Sequence, residues 1–328
     1  MTPSPKPALA ELVASARLVS LPLRVRFRGV LEREVMLFEG PSGWTEWSPF
    51  VEYEDAEAAT WLAAAIEFGW GQVPSPLTDR VRVNATLPAI AADQVSTVLA
   101  RFGEFDTVKI KVAEAGQSIE DDLARIIATH EAHPDAKIRL DANGGFGVDE
   151  AVSLLERLVV VGIQLDYFEQ PVATIAELAE ARIRLGRLGV QVAADESVRK
   201  VSDPLAVAMA GAADVLVLKA QPLGGVGAAA AIANEAGLPW VVSSALESSI
   251  GISMGAHLAA LSPRDVAHGL GTLSLFAGDV CDRPLRAVDG VLEVKRVVPS
   301  EARLQTFKAE DHRMDWWLER LERCYRLI

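Results

Sequence analysis

Six residues along the middle of this 328-residue chain carry groups capable of chemistry at nearly even spacing: Lys111, Asp141, Glu169, Asp195, Lys219 and Ser243, with Lys109 two positions before the first. The intervals between them are 30, 28, 26, 24 and 24 residues. Three carboxylates brought into one cavity cannot all stay ionised without a cation, because burial and mutual repulsion raise their pKa values. A divalent ion resolves that conflict, and all-oxygen ligation without His or Cys favours Mg²⁺ or Mn²⁺ over Zn²⁺. A buried lysine beside another cation loses proton affinity and can serve as a base near neutral pH. Lysines on both sides of such a metal suit carbon-acid chemistry, in which the α-proton of a carboxylate is removed while the metal stabilises the enediolate. Taken singly, each acid also fits a helix cap or a structural ion pair, Glu169 in FEQP and Asp195 in ADES included.

The elements that would position these groups are strand-like runs at 82–87, 105–112, 136–143, 164–171, 190–197, 213–221, 239–246 and 266–272. Helical stretches such as 118–130, 148–160, 175–188 and 226–236 alternate with them. Eight βα units match a TIM-type (β/α)₈ barrel. An open doubly wound sheet is disfavoured, since no G-x-G-x-x-G or P-loop follows any strand. In a barrel the C-terminal strand ends face the active site, so the spacing sets one polar group on each consecutive strand. Lys109 and Lys111 would share one face of their strand while Val108, Ile110 and Val112 cover the other. Residues 1–80 read as an α+β capping domain, 81–289 as the α/β barrel, and 290–328 as a segment packing back on the cap.

The motifs KIK (109–111), LDAN (140–143), FEQP (168–171), ADES (194–197) and LKAQPLGG (218–225) together resemble the muconate-lactonizing subgroup of the enolase superfamily. The resemblance implies a modified (β/α)₇β barrel with a capping domain over the whole chain. It implies Asp141, Glu169 and Asp195 as ligands of Mg²⁺, with Mn²⁺ as the alternative ion. It further implies Lys111 as the base, Lys219 across the site as a stabilising cation, and Lys109 as a residue that tunes the base and contacts the substrate carboxylate. The short cap with GWTEWSPFVEY (43–53) and the segment SSALESSIG (243–251) are most similar to the subgroup's dehydratases of menaquinone biosynthesis. Those enzymes aromatise 2-succinyl-6-hydroxy-2,4-cyclohexadiene-1-carboxylate by syn elimination of water, which a single acid/base can complete from one face.

Candidate substrate contacts are Ser243, Ser244, Asn143, Gly271 on the last strand, and Arg28, the last of three alternating arginines before Gly29. A small dicarboxylate is the expected substrate. Racemisation of N-succinylamino acids uses the same lysines and metal and stays open, as do muconate cycloisomerisation and, from another class, a barrel that only binds a ligand. Dipeptide epimerisation is disfavoured because the last strand reads HGLGT, with no Asp-x-Asp to hold an ammonium. His257 and His268 read as structural histidines rather than bases. Trp44, Trp47 and Phe50 fit either a wall of the site or the cap core. Gly224, Gly225 and Gly227 fit either an anion-binding helix start or a tight turn.

Composition bounds the rest. A formal charge of −13 repels nucleic acid, and no apolar run is long enough for a membrane span. The two cysteines, Cys281 and Cys324, read as reduced thiols of a cytoplasmic protein, and no oligomeric state follows from the sequence.

Overall fold

Alternating apolar residues in the first third of the chain form a small antiparallel sheet. The computed structural model describes residues 6–27, 29–199 and 203–328. A short helix α1 (Leu9–Ser15) leads into β1 (Arg17–Phe27), β2 (Val30–Gly40) and β3 (Gly43–Trp47), paired in that order. The 16-residue helix α2 (Asp55–Trp70) lies against this sheet. A Cβ at Gly40 would stand 2.2 Å from the Gly69 carbonyl oxygen, so sheet and helix meet backbone to backbone.

After the short strand β4 (Arg80–Arg82) the barrel begins with β5 (Ala85–Leu87), followed by α3 (Val95–Leu99), β6 (Thr107–Lys111) and α4 (Ile119–Ala132). It continues with β7 (Lys137–Asp141), α5 (Val148–Val160), β8 (Leu165–Glu169), α6 (Ile175–Gly186) and β9 (Gln191–Ala194). The short helices α7 (Glu196–Arg199) and α8 (Ala206–Met209) precede β10 (Val215–Leu218), α9 (Val226–Ala236), β11 (Trp240–Val242) and α10 (Ser249–Ala259). Strands β5 to β11 form one seven-stranded parallel sheet in sequential order, as the alternating pattern requires. Capping boxes at Ser118/Asp121 and Thr174/Glu177 start α4 and α6 where turn chemistry places them.

The expected eighth strand, 266–272, is reduced to bridges at His268 and Gly269, which join both edges of the sheet. His268 N–H donates to the Arg82 carbonyl at 2.8 Å, and Gly269 N–H donates to the Val242 carbonyl at 2.7 Å. The pairing stops after these two residues because the chain turns into a 3₁₀ segment at Thr272. The expected first strand, 82–87, is also divided. Arg80–Arg82 pairs antiparallel with β12 (Val291–Glu293), whereas Ala85–Leu87 pairs parallel with β6, so the chain changes partner at Val83–Asn84.

The C-terminal elements α11 (Glu301–Thr306) and α12 (Asp311–Tyr325) return to the first sheet. Trp317 is fully buried, its ring 5.2 Å from Trp47, and its indole N–H donates to Glu34 at 2.9 Å. Arg313 grips the same Glu34 with two bonds of 2.7 and 2.6 Å. Phe50 packs edge-on against Tyr53 and Trp61. Trp47 and Phe50 are therefore core of the cap.

The glycine-rich start of α9 does hold an anion, and the anion belongs to this chain. Glu67 of α2 accepts from the Val226 and Gly227 amides at 2.5 and 2.9 Å. A Cβ at Gly225 would lie 2.2 Å from that carboxylate, and Gly225 has φ +128°, so only glycine fits. Glu67→Ala is expected to lower global stability by about 1–2 kcal/mol, the value of a lost helix N-cap with its dipole interaction. Denaturant unfolding measures this, and an unchanged midpoint would remove Glu67 from that role.

Candidate active site

The parallel register carries the sequence spacing into space. Lys111, Asp141 and Glu169 end β6, β7 and β8, and Asp195 and Lys219 follow β9 and β10 by one residue. The three carboxylate strands thus stand side by side, with a lysine strand on each flank. Val108 and Ile110 point into the apolar core, which turns Lys109 and Lys111 to the barrel interior.

All six side chains are buried, Asp141, Glu169 and Asp195 at 1% exposure or less. Lys109 donates to both oxygens of Glu169 at 3.0 and 2.9 Å and lies 3.0 Å from Asp141. Lys111 donates to Asp141 at 2.6 Å and to the Asn143 side-chain oxygen at 2.6 Å. Asp195 is held by Lys219 on one oxygen and by Arg199 at 2.8 Å on the other. Gln170, with φ +37°, accepts from the Asp195 amide at 3.1 Å and ties the end of β8 to the loop after β9.

Burial pushes Glu169 up to about 7, and the neighbouring Asp141 adds to the rise against the pull of Lys109. Burial also opposes ionisation of Asp141 and Asp195, but the lysines beside Asp141, and Arg199 with Lys219 beside Asp195, hold both well below the usual carboxylate range. Burial brings the Lys219 amine down to about 8 although Asp195 pulls the other way. For Lys109 burial loses to Asp141 and Glu169, and the ammonium is held well above the ordinary lysine value. Among the described residues no three metal-binding side chains are drawn into a chelating set, the carboxylates being matched by lysines instead. The donor set nevertheless suits a hard cation: all oxygen, buried, on consecutive strands, with Glu169 still short of positive charge.

Asn143, Ser243 and Ser244 line the pocket between these groups. Ser243 lies 3.5 Å from Lys109, and the Ser244 hydroxyl shares a 2.6 Å hydrogen bond with Thr272. Gly271 stands off the lining, where a Cβ would meet the Asn84 carbonyl at 2.7 Å; Thr272 takes the pocket position. Arg28 lies outside the described residues. Arg24 donates to the Phe276 carbonyl and Arg26 to its own turn at Gly29. His268 accepts from the Val242 amide, and burial brings it down to about 3, so it is a neutral structural residue. His257 lies in α10 against the Ser253 carbonyl.

Phe27, Thr86, Arg199 and Leu246 also line the pocket, and nothing in the local sequence marked Phe27, Thr86 or Leu246 as a site residue. Arg199 had one available signal, its i,i+4 spacing from Asp195. Cys281 and Cys324 are buried free thiols.

The family model described as "Enolase N-terminal domain-like" matches residues 18–69, and "Enolase C-terminal domain-like" matches 91–299. The o-succinylbenzoate synthase of Mycobacterium tuberculosis strain H37Rv is 51% identical over 98% of this chain and 97% of that protein. That of Mycolicibacterium smegmatis is 49% identical over 98% of both. Among solved structures, the muconate lactonizing enzyme of Pseudomonas putida superposes with a TM-score of 0.71 at 21% identity, over 90% of this chain and 98% of the other. The fold is thus shared with the lactonizing enzymes, whereas half the residues, along almost the whole length, are shared with the synthases: the chain belongs to the o-succinylbenzoate synthase family of the enolase superfamily.

Proposed function

We propose that this chain dehydrates 2-succinyl-6-hydroxy-2,4-cyclohexadiene-1-carboxylate to o-succinylbenzoate and water, a step of menaquinone biosynthesis. The observation that carries the reading is the placement of one lysine strand on each side of three carboxylate strands around a single pocket, in a chain half identical to synthases of that name. Enzymes of the superfamily are metal-dependent, typically on Mg²⁺. Asp141, Glu169 and Asp195 are the residues that would hold the ion here, with Mg²⁺ preferred and Mn²⁺ able to substitute. When bound, the cation neutralises the three carboxylates and supplies Lewis-acid stabilisation to negative charge on a substrate carboxylate.

The chain's own groups do the rest. Lys111 takes the proton from the carbon bearing the carboxylate, and the C–H electron pair passes into that carboxylate as an enediolate. Lys219 faces the developing charge as an ammonium from the opposite flank, and Lys109 stays protonated between Asp141 and Glu169. The electron pair returns to form the ring double bond, the C–O bond breaks, and the ammonium of Lys111 delivers its proton to the departing hydroxide. Atoms and charge balance with one acid/base on one face. Asn143 orients Lys111 through their 2.6 Å hydrogen bond.

A second reading, racemisation of N-succinylamino acids, is favoured by the same two-sided arrangement, because racemisation needs a base on each face. A paired assay with Mg²⁺ separates them: loss of diene absorbance against loss of optical activity. Fast dehydration with slow or absent racemisation is expected, and the reverse ratio would move the chain to the racemases.

A further inference from the structure

The turn between β11 and α10 supplies one wall of the pocket through Ser244, Ala245 and Leu246. Its backbone is unusual: Leu246 adopts φ +59°, a left-handed conformation that a γ-branched residue rarely takes without being held there. Two side chains of the first sheet, Arg33 on β2 and Glu46 on β3, reach this turn and are themselves buried. The Arg33 guanidinium donates to the carbonyls of Leu246 at 3.2 Å and Ala245 at 3.5 Å, and to that of Ser48. It also stacks on Phe50, 4.0 Å from the ring centroid. The Glu46 carboxylate accepts from the Ser248 amide at 3.1 Å, the Ser248 hydroxyl at 2.5 Å and the Gly251 amide at 3.0 Å. A guanidinium therefore sits on the carbonyls of the turn and a carboxyl group accepts from the amides that follow it, where α10 begins.

We infer that Arg33 and Glu46 are positioning residues: together they clamp the turn at 245–248 from the cap and impose the left-handed Leu246 that gives the pocket its wall, so that docking of the cap and completion of the substrate site are one event. Neither residue lines the pocket, so both act through the turn. Glu247 reinforces the same geometry from within, its carboxylate accepting from the Ala245 amide at 2.8 Å and from Gln221 at 3.2 Å. The kinetic part of the inference rests on the dehydration reading.

Arg33→Met and Glu46→Gln test it, with Arg33→Lys as a milder variant should either fail to fold. The turn lines the pocket but supplies no group to the proton transfer, so KM for the cyclohexadiene substrate is expected to rise about tenfold while kcat falls less. A lower melting temperature with KM unchanged would make the contacts merely structural and overturn the inference. Leu246→Gly, which accepts φ +59° without restraint, is expected to combine with Arg33→Met to less than the product of the two single losses, because glycine no longer needs the clamp. Fully multiplicative effects would separate Arg33 from the turn's conformation and also overturn it. Amide hydrogen exchange at residues 244–251, measured without substrate, is expected to quicken in both clamp variants. That measurement stands even if the wild-type chain fails to dehydrate the substrate, an outcome that would defeat the reaction reading alone; unchanged exchange would defeat the clamp.

Discussion

Lys111→Ala is expected to lower kcat for dehydration by about ten-thousand-fold, the upper end of what a positioned acid–base group contributes. The large value follows from one residue serving twice, as base toward the α-proton and as acid toward the leaving hydroxide, with its Nζ fixed between Asp141 and Asn143. Lys219→Ala is expected to lose less, about a hundred- to a thousand-fold, the range for removing one preorganised electrostatic partner of a developing anion. Both variants should keep the wild-type circular dichroism spectrum. In the first, Lys109 still meets Asp141 at 3.0 Å, and in the second Arg199 still meets Asp195 at 2.8 Å, so neither carboxylate is left buried and bare. Steady-state dehydration kinetics check both, and a near-normal rate in either variant would remove that lysine from its assigned part.

Chelation of divalent metal should abolish turnover, by about a thousand-fold or more if the ion contributes several kcal/mol to the transition state, with recovery on adding Mg²⁺. The metal-free protein should also carry a signature in its stability. Burial, then Asp141, raises Glu169 from 4.5 to about 7 in the fold. Between those values the folded chain binds a proton that the unfolded chain has released, so this group's contribution to stability is full at low pH and is lost as pH rises through about 7. Excess Mg²⁺ should stabilise the protein most at the top of that window, where the carboxylate is ionised and free to bind, by an amount set by ion concentration over its dissociation constant. Melting curves against pH, with and without Mg²⁺, read both effects. Activity and melting temperature indifferent to chelator would return the chain to a barrel that only binds a ligand.

The sequence by itself determined the parallel barrel, the order of its strands and the residue at the end of each. Those features rest on local periodicity: alternating β-branched runs, capping boxes at Ser118 and Thr174, and one polar residue at each strand end at βα-unit spacing. It also brought Asn143, Ser243 and Ser244 to the lining of the pocket, because they sit within two residues of strand-end positions. Tertiary structure decided whatever depended on two distant segments meeting. The break between Arg82 in β4 and Ala85–Leu87 in β5 needs β12, more than two hundred residues later, to take Arg82 as its partner. The shrinking of 266–272 to a two-residue closure leaves His268 bridged to Val83 and Gly269 to Ser243, residues far apart in the chain. Thr272 lines the pocket, whereas the backbone of Gly271 packs so closely on the Asn84 carbonyl that an added Cβ would lie 2.7 Å from it. The anion at the α9 glycines proved to be Glu67, and Arg33 and Glu46 found their partners in a turn some two hundred residues away. A short pattern records which face of a strand a residue occupies, since that depends on its immediate neighbours. It holds no record of which backbone carbonyl or amide of a remote turn will stand opposite a buried charge, because that pairing exists only once the cap has closed on the barrel.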